Sequence, residues 1–126
     1  MAIVGLGTDI VEINRFDKEP EKLERLARRV LTDNEYATYQ KHNFPYRFLA
    51  KRFAAKEAAV KAIGNGIGNG VSFHHVEVVN NEMGKPELVF SGAMQTLCEQ
   101  QGVTKSFVSI SDEQNYATAT VILESL

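Results

Sequence analysis

The alternation of apolar and polar positions divides the chain into an early half of helices and a late half of strands. Residues 2–13 read as a strand, because Val and Ile are frequent and two glycines sit early in it. Period two then puts Asp9 on the same face as Ile3, Val11 and Ile13. From Pro20, which suits a first helical turn, Leu23, Leu26, Ala27, Val30 and Leu31 recur at helical spacing. Thr32-Asp33-Asn34-Glu35 has the capping-box pattern: the Thr hydroxyl and the Glu carboxylate each take an orphan amide of a new helix, which runs to about His42. Pro45 opens a third helix over residues 46–63, and Gly64 suits its left-handed cap.

After a glycine-rich loop at 64–70, a strand near 76–79, a turn at 83–86 and a strand near 87–90 form a hairpin. A helix near 92–101 follows, then strands at 107–111 and 116–123 joined by a short polar turn. This order predicts an α+β fold: one domain over residues 1–126, with N-terminal helices packed on a small antiparallel sheet. Its 126 residues, 44% hydrophobic and 24% charged, suffice for one core.

Charge changes the picture more than composition does. The net charge of -2 hides an asymmetry, since residues 1–62 carry 12 basic and 9 acidic side chains and residues 63–126 carry 2 and 7. Positive charge is concentrated where an anion would bind. A single cysteine, Cys98, forms no internal disulfide and is expected to be a small core hydrophobe, so the reduced cytoplasm is the expected compartment. The first residues lack a basic leader segment, no apolar run reaches membrane-spanning length, and no membrane association is expected.

The third helix carries most of the candidate chemistry. At 100° per residue, Leu49, Phe53, Val60 and Ile63 fall in one stripe with Lys56 inside it, and Ala54, Ala55, Ala58, Ala59 and Ala62 form a small-residue face. Lys56 must therefore snorkel to an edge or meet an anion. Glu57 and Lys61, four apart, are either a surface ion pair or a working pair. Asp9, a carboxylate on the inward face of an apolar strand, requires a cation, hydrogen-bond donors or protonation. Asp9 and Glu57 together suit a hard divalent ion, because magnesium takes one or two carboxylates, keeps waters and shares substrate phosphates. Residues 41–61 hold Lys41, Arg47, Lys51, Arg52, Lys56 and Lys61 against one acid, which suits a polyanion or a solvated basic face. The glycine loop lacks the GK[ST] ending of a P-loop and follows a helix, so it matches neither common nucleotide motif. His74 and His75 have no zinc spacing and are read as strand-edge residues, and no GxSxG elbow occurs.

Two blocks, Gly5-Leu6-Gly7-Thr8-Asp9-Ile10-Val11 and Arg52-Phe53-Ala54-Ala55-Lys56-Glu57-Ala58-Ala59-Val60-Lys61-Ala62, closely resemble the signatures of the 4'-phosphopantetheinyl transferases in their short, single-domain form. The likeness continues through residues 64–68, 84–86 and 108–111 to Tyr116-Ala117. It implies transfer of the 4'-phosphopantetheine arm of coenzyme A to a serine of an apo acyl carrier protein, releasing adenosine 3',5'-bisphosphate, for fatty acid biosynthesis. It also implies Mg2+ held by Asp9 and Glu57, catalysis by Glu57 and Lys61, and a coenzyme A site along Arg52, Lys56, Lys61, Gly64, Gly66 and Ser111. Several members carry histidine where this chain has Asp112, so that residue is left out of the site.

On the first helix Lys22, Arg25 and Arg29 share a stripe opposite the apolar face, and Arg15 precedes it. Acyl carrier proteins are acidic, which makes this stripe the expected docking surface. The likeness further implies a homotrimer with sites between subunits. Competing readings are a metal-dependent phosphohydrolase on the same carboxylates and a non-enzymatic nucleotide-binding module. No nucleic acid is expected as partner, because few basic residues lie outside the N-terminal half.

Overall fold

Glycines at positions 5 and 7 let the first strand lie directly on the longest helix, and this contact organises the molecule. The computed structural model describes residues 1–126. Strand β1 (Ala2–Glu12) crosses helix α3 (Pro45–Ile63) so closely that a Cβ on Gly5 would stand 1.8 Å from the Ala62 carbonyl oxygen. One on Gly7 would stand 1.9 Å from that of Ala58. No larger residue fits, so glycine faces alanine along the seam.

The other elements are helices α1 (Pro20–Val30) and α2 (Asp33–Lys41), strands β2 (Val76–Asn80) and β3 (Pro86–Phe90), helix α4 (Gly92–Gln100), and strands β4 (Val103–Asp112) and β5 (Tyr116–Ser125). Both predicted caps form. Thr32 Oγ1 accepts from the Glu35 amide at 3.3 Å while Glu35 Oε1 accepts from that of Thr32 at 2.9 Å, and Gly64 closes α3 with φ 84°.

The α+β class holds, but the strands form two sheets where one was expected. β1, β5 and β4 make an antiparallel three-stranded sheet in that order, and β2 pairs with β3 in a separate hairpin. Ile3 is not on the Asp9 face: a register shift between Ile3 and Gly5 resets the alternation and leaves Ile3 exposed. His74 and His75 lie in a 3-10 turn (Phe73–His75) and not at a strand edge. His74 Nε2 donates to the Arg28 carbonyl at 2.9 Å, which ties that turn to α1.

One core lies between α3 and the larger sheet, built on Ala58, Val60, Val121 and Leu123, with Met94 and Cys98 of α4 behind them. A second forms where α1 and α2 close over the first half of α3, around Ile13, Val30, Tyr39 and Leu49. Each aliphatic side chain of this kind contributes ~1.5–3 kcal/mol by leaving water. The opposite face of the larger sheet is uncovered, with Leu6, Ile10 and Phe107 exposed. No helix is long and apolar enough to cross a membrane.

Candidate active site

The glycine seam brings Asp9 to the cleft edge of α3. Its side chain is 13% exposed, and Oδ1 accepts from Lys61 Nζ at 2.9 Å. Lys61 also donates to the Thr8 carbonyl at 3.2 Å, and the hydrogen bond to Asp9 holds its ammonium pKa above the ordinary lysine value. The second oxygen, Asp9 Oδ2, is buried without a hydrogen-bond partner. A buried carboxylate oxygen left open is expensive unless something cationic meets it.

Glu57 faces the same point from α3. Burial pushes its carboxyl pKa up, and the negative charge of Asp9 pushes it further, against the opposing pull of Lys61 and Arg29. The strand acid, the helix acid and the helix lysine therefore act on one another at the β1–α3 seam. Arg29 enters this group from α1, its guanidinium 5.8 Å from the centre of the Phe73 ring.

A basic groove of about 250 Å3 lies further toward the start of α3, lined by His42, Arg47, Lys51, Arg52 and Asn80 among others. Arg52 Nη2 donates to Asn80 Oδ1 at 3.0 Å, and its guanidinium covers the Phe48 ring at 4.6 Å. Arg47 donates to Asp112 Oδ2 at 2.9 Å and to the carbonyls of Glu113 and Gln114, while Lys51 stands 3.4 Å from Asp112 Oδ1. Arg47 and Lys51 were not among the expected site residues. Their signal was the basic run at 41–61, which does not say which of its members share a groove.

Lys56 departs from expectation. It has no solvent exposure, and its ammonium donates to the carbonyls of Val30 at 2.6 Å and Phe73 at 3.2 Å and to Glu35 Oε1 at 2.5 Å. All three N–H groups are used inside the protein, so none is left for a phosphate. Its anion is Glu35, a partner that lies outside the helix whose periodicity was read.

Gly64 and Gly66 follow α3 with φ 84° and 83°, and a Cβ added at either would point into open space. Ser111 sits opposite Thr118 on the uncovered face of the sheet, away from Asp9 and Glu57 of the same chain. Lys22, Arg25 and Arg29 line a shallow basic groove with Lys18 and Leu26, two residues absent from the expected surface. Arg15 borders a neighbouring groove of about 470 Å3 whose walls include Phe16, Leu26, Phe53 and Tyr116.

Helices over an antiparallel sheet, with two carboxylates and a lysine at the β1–α3 seam and basic grooves elsewhere on the surface, make a small α+β domain charged for an anionic ligand. Residues 5–121 match the family model of the 4'-phosphopantetheinyl transferase superfamily. The chain belongs to that superfamily. It is 64% identical over 126 residues to a holo-[acyl-carrier-protein] synthase of Alteromonas mediterranea, covering 100% of both chains. Among solved structures it is similar to the holo-[acyl-carrier-protein] synthase of Neisseria meningitidis, with TM-score 0.90, 38% identity, and 98% and 100% of the two chains covered. The holo-(acyl-carrier-protein) synthase of Bacillus anthracis, solved in complex with CoA (3',5'-ADP), superposes with TM-score 0.81 and 40% identity over 98% of each chain.

Proposed function

We propose that the chain is a holo-(acyl carrier protein) synthase, a single domain that moves the 4'-phosphopantetheine group from coenzyme A to a serine of apo acyl carrier protein in the cytoplasm. The observation that carries this reading is the meeting of Asp9, Glu57 and Lys61 on the β1–α3 seam, with Asp9 Oδ2 open and the Glu57 carboxyl raised beside it.

The donor set fits magnesium. Asp9, with Oδ2 open, and Glu57 would offer it two hard oxygen ligands, and magnesium completes its shell with waters and substrate phosphates. Held by Asp9 and Glu57, the ion would supply charge neutralisation to a phosphate-bearing donor. Glu57 takes the proton of the carrier serine as its oxygen attacks the phosphorus bearing the pantetheine arm. Lys61, half-exposed and able to turn from Asp9, donates to the oxygens of the transferring group. The bond from that phosphorus to the adenosine 3',5'-bisphosphate oxygen breaks, and the bisphosphate leaves. Arg52 with Gly64 and Gly66 lies along the donor, and Arg15, Lys22, Arg25 and Arg29 receive the acidic carrier.

The uncovered sheet face supports assembly as a homotrimer, in which Ser111 of one copy completes the cleft of the next. Incubation with coenzyme A, Mg2+ and apo carrier, followed by mass spectrometry of the carrier, tests the reaction. A carrier that gains the phosphopantetheine mass only with all components present is the expected result; hydrolysed coenzyme A with unmodified carrier would refute it. Arg25→Glu with Arg29→Glu should raise KM for the carrier at least ~10-fold and leave coenzyme A binding within about twofold, as expected for charge reversal at a docking face. Equal carrier KM would remove α1 from the docking surface.

A further inference from the structure

The most deeply buried charges in the chain lie beside the cleft, one residue away from Glu57. Lys56 gathers three elements at its ammonium: the last residue of α1 through the Val30 carbonyl, the 3-10 turn through the Phe73 carbonyl, and the first turn of α2 through Glu35. Glu35, 3% exposed, divides its carboxylate among further partners. Oε1 also accepts from the Thr32 amide at 2.9 Å, and Oε2 accepts from the Val78 amide of β2 at 2.8 Å and stands 3.8 Å from Arg52 Nε. Two side chains thus join α1, α2, β2 and the 3-10 turn to one point on α3.

What the pair holds is as informative as how it holds it. Val30 directly follows Arg29, and the ring of Phe73 is the one covered by the Arg29 guanidinium. Both carbonyls that Lys56 grips are therefore attached to the immediate surroundings of Arg29. Arg29 is in turn one of the two positive charges that act on the Glu57 carboxyl. An isolated helix–helix contact through Leu and Ala would leave α1 free to slide by a fraction of a turn; directed hydrogen bonds to two named carbonyls do not.

We infer that the buried Lys56–Glu35 pair is a positioning device for the transfer step, holding the end of α1 on α3 so that Arg29 and the basic face of α1 keep a fixed place for the carrier. The inference rests on the proposed transfer to a carrier serine. It assigns Lys56 and Glu35 no contact with substrate; they act through Arg29.

A double-mutant cycle separates positioning from plain support of the fold. Glu35→Gln removes the charge with little change of shape, and Lys56→Met removes the ammonium. Each is made alone and combined with Arg29→Ala. Variants are assayed at a temperature where circular dichroism shows them folded, with coenzyme A affinity measured by calorimetry. In the native background Arg29→Ala should lower kcat/KM for the carrier about tenfold, whereas in the Glu35→Gln background it should change it less than twofold, the mark of coupled residues. Arg29→Ala should leave coenzyme A affinity within about twofold in either background, so any effect of Glu35→Gln through Arg52 is read separately from the carrier coupling. If Lys56→Met does not fold, the cycle through Glu35→Gln still decides. Folded Glu35→Gln with native kcat/KM, or an Arg29→Ala loss equal in both backgrounds, overturns the inference. A native chain that leaves the carrier unmodified overturns the transfer reading and this inference with it, while a working native chain with additive losses overturns this inference alone.

Discussion

Burial and the neighbouring charge of Asp9 both raise the Glu57 carboxyl, so ionising this group is harder in the folded chain than in the unfolded one. An acid with a raised folded pKa holds its proton more tightly when folded. Below the ordinary glutamate value of about 4.3 both states are protonated and the group is neutral in the balance. As pH rises from there through the raised value, the unfolded chain gives up its proton first and folding stability falls. Glu57→Gln carries no such charge. In chelator-treated buffer it should therefore melt higher than the native protein at neutral pH, with the difference closing as pH drops below the ordinary glutamate range; thermal unfolding across that interval reads the sign. Equal melting at all pH values would mean that Asp9 and burial do not strain Glu57. The same variant should lose ~10²–10⁴-fold in transfer rate, the usual effect of removing a general base. Asp112 sets a second test. It occupies Arg47 and Lys51 as an internal anion at the rim of the basic groove, so Asp112→Asn should tighten coenzyme A binding about two- to fivefold, the range of a partly exposed ion pair. Calorimetry at two salt concentrations reads this, and unchanged affinity would mean that the donor's phosphates do not enter that groove.

At the scale of elements, the β1–α3 seam is where sequence and structure agree most directly. Its glycines and alanines are there because backbone approaches backbone, and Gly7→Ala would drive a methyl to within 1.9 Å of the Ala58 carbonyl. The strand must then lift from the helix. Overpacking of this kind costs ~1–3 kcal/mol, read by denaturant unfolding, and it should also displace Asp9 from Lys61 and lower transfer in the folded fraction. Wild-type stability for Gly7→Ala would show the strand to be freer than the seam implies. The helices were legible from end signals with local causes: the Thr32–Glu35 box, Pro20 and Pro45 in first turns, and Gly64 at a left-handed cap. Strand starts were less so. β4 begins at Val103 and not near Phe107, because Thr104, Lys105 and Ser106 carry no apolar run and are recruited by pairing with the end of β5. The division into two sheets depends on which strands pair, a long-range choice that periodicity does not encode. Lys56 is the plainest case: its position on the apolar stripe was readable, but the choice between surface and anion was made by Glu35 on another helix.

The whole molecule leaves one large surface unexplained by a lone chain. Leu6, Ile122 and Phe107 form a row across β1, β5 and β4 on the face away from α3, and Ile10 lies further along the same face, beyond Thr8, Thr120 and Ser109. Leu6, Ile10 and Phe107 are 62%, 63% and 48% exposed, large apolar side chains gathered on one sheet face as at surfaces that meet a partner. Ser111 projects from this same face, so a neighbouring copy seated there is also the route by which Ser111 would reach a cleft. Phe107→Glu places a charge at the β4 end of the row without touching either core. If the proposed trimer forms through this face, the variant should keep the native circular dichroism spectrum while its mass by sedimentation equilibrium falls from three chains toward one. Transfer per chain should fall at least ~10-fold at low protein concentration and recover partly as concentration rises, because mass action opposes dissociation. Loss of activity with the assembled mass intact would point instead to local damage at the cleft. An unchanged mass with unchanged activity would mean that the face meets something other than another copy of the chain, and the cleft would then have to be complete within one.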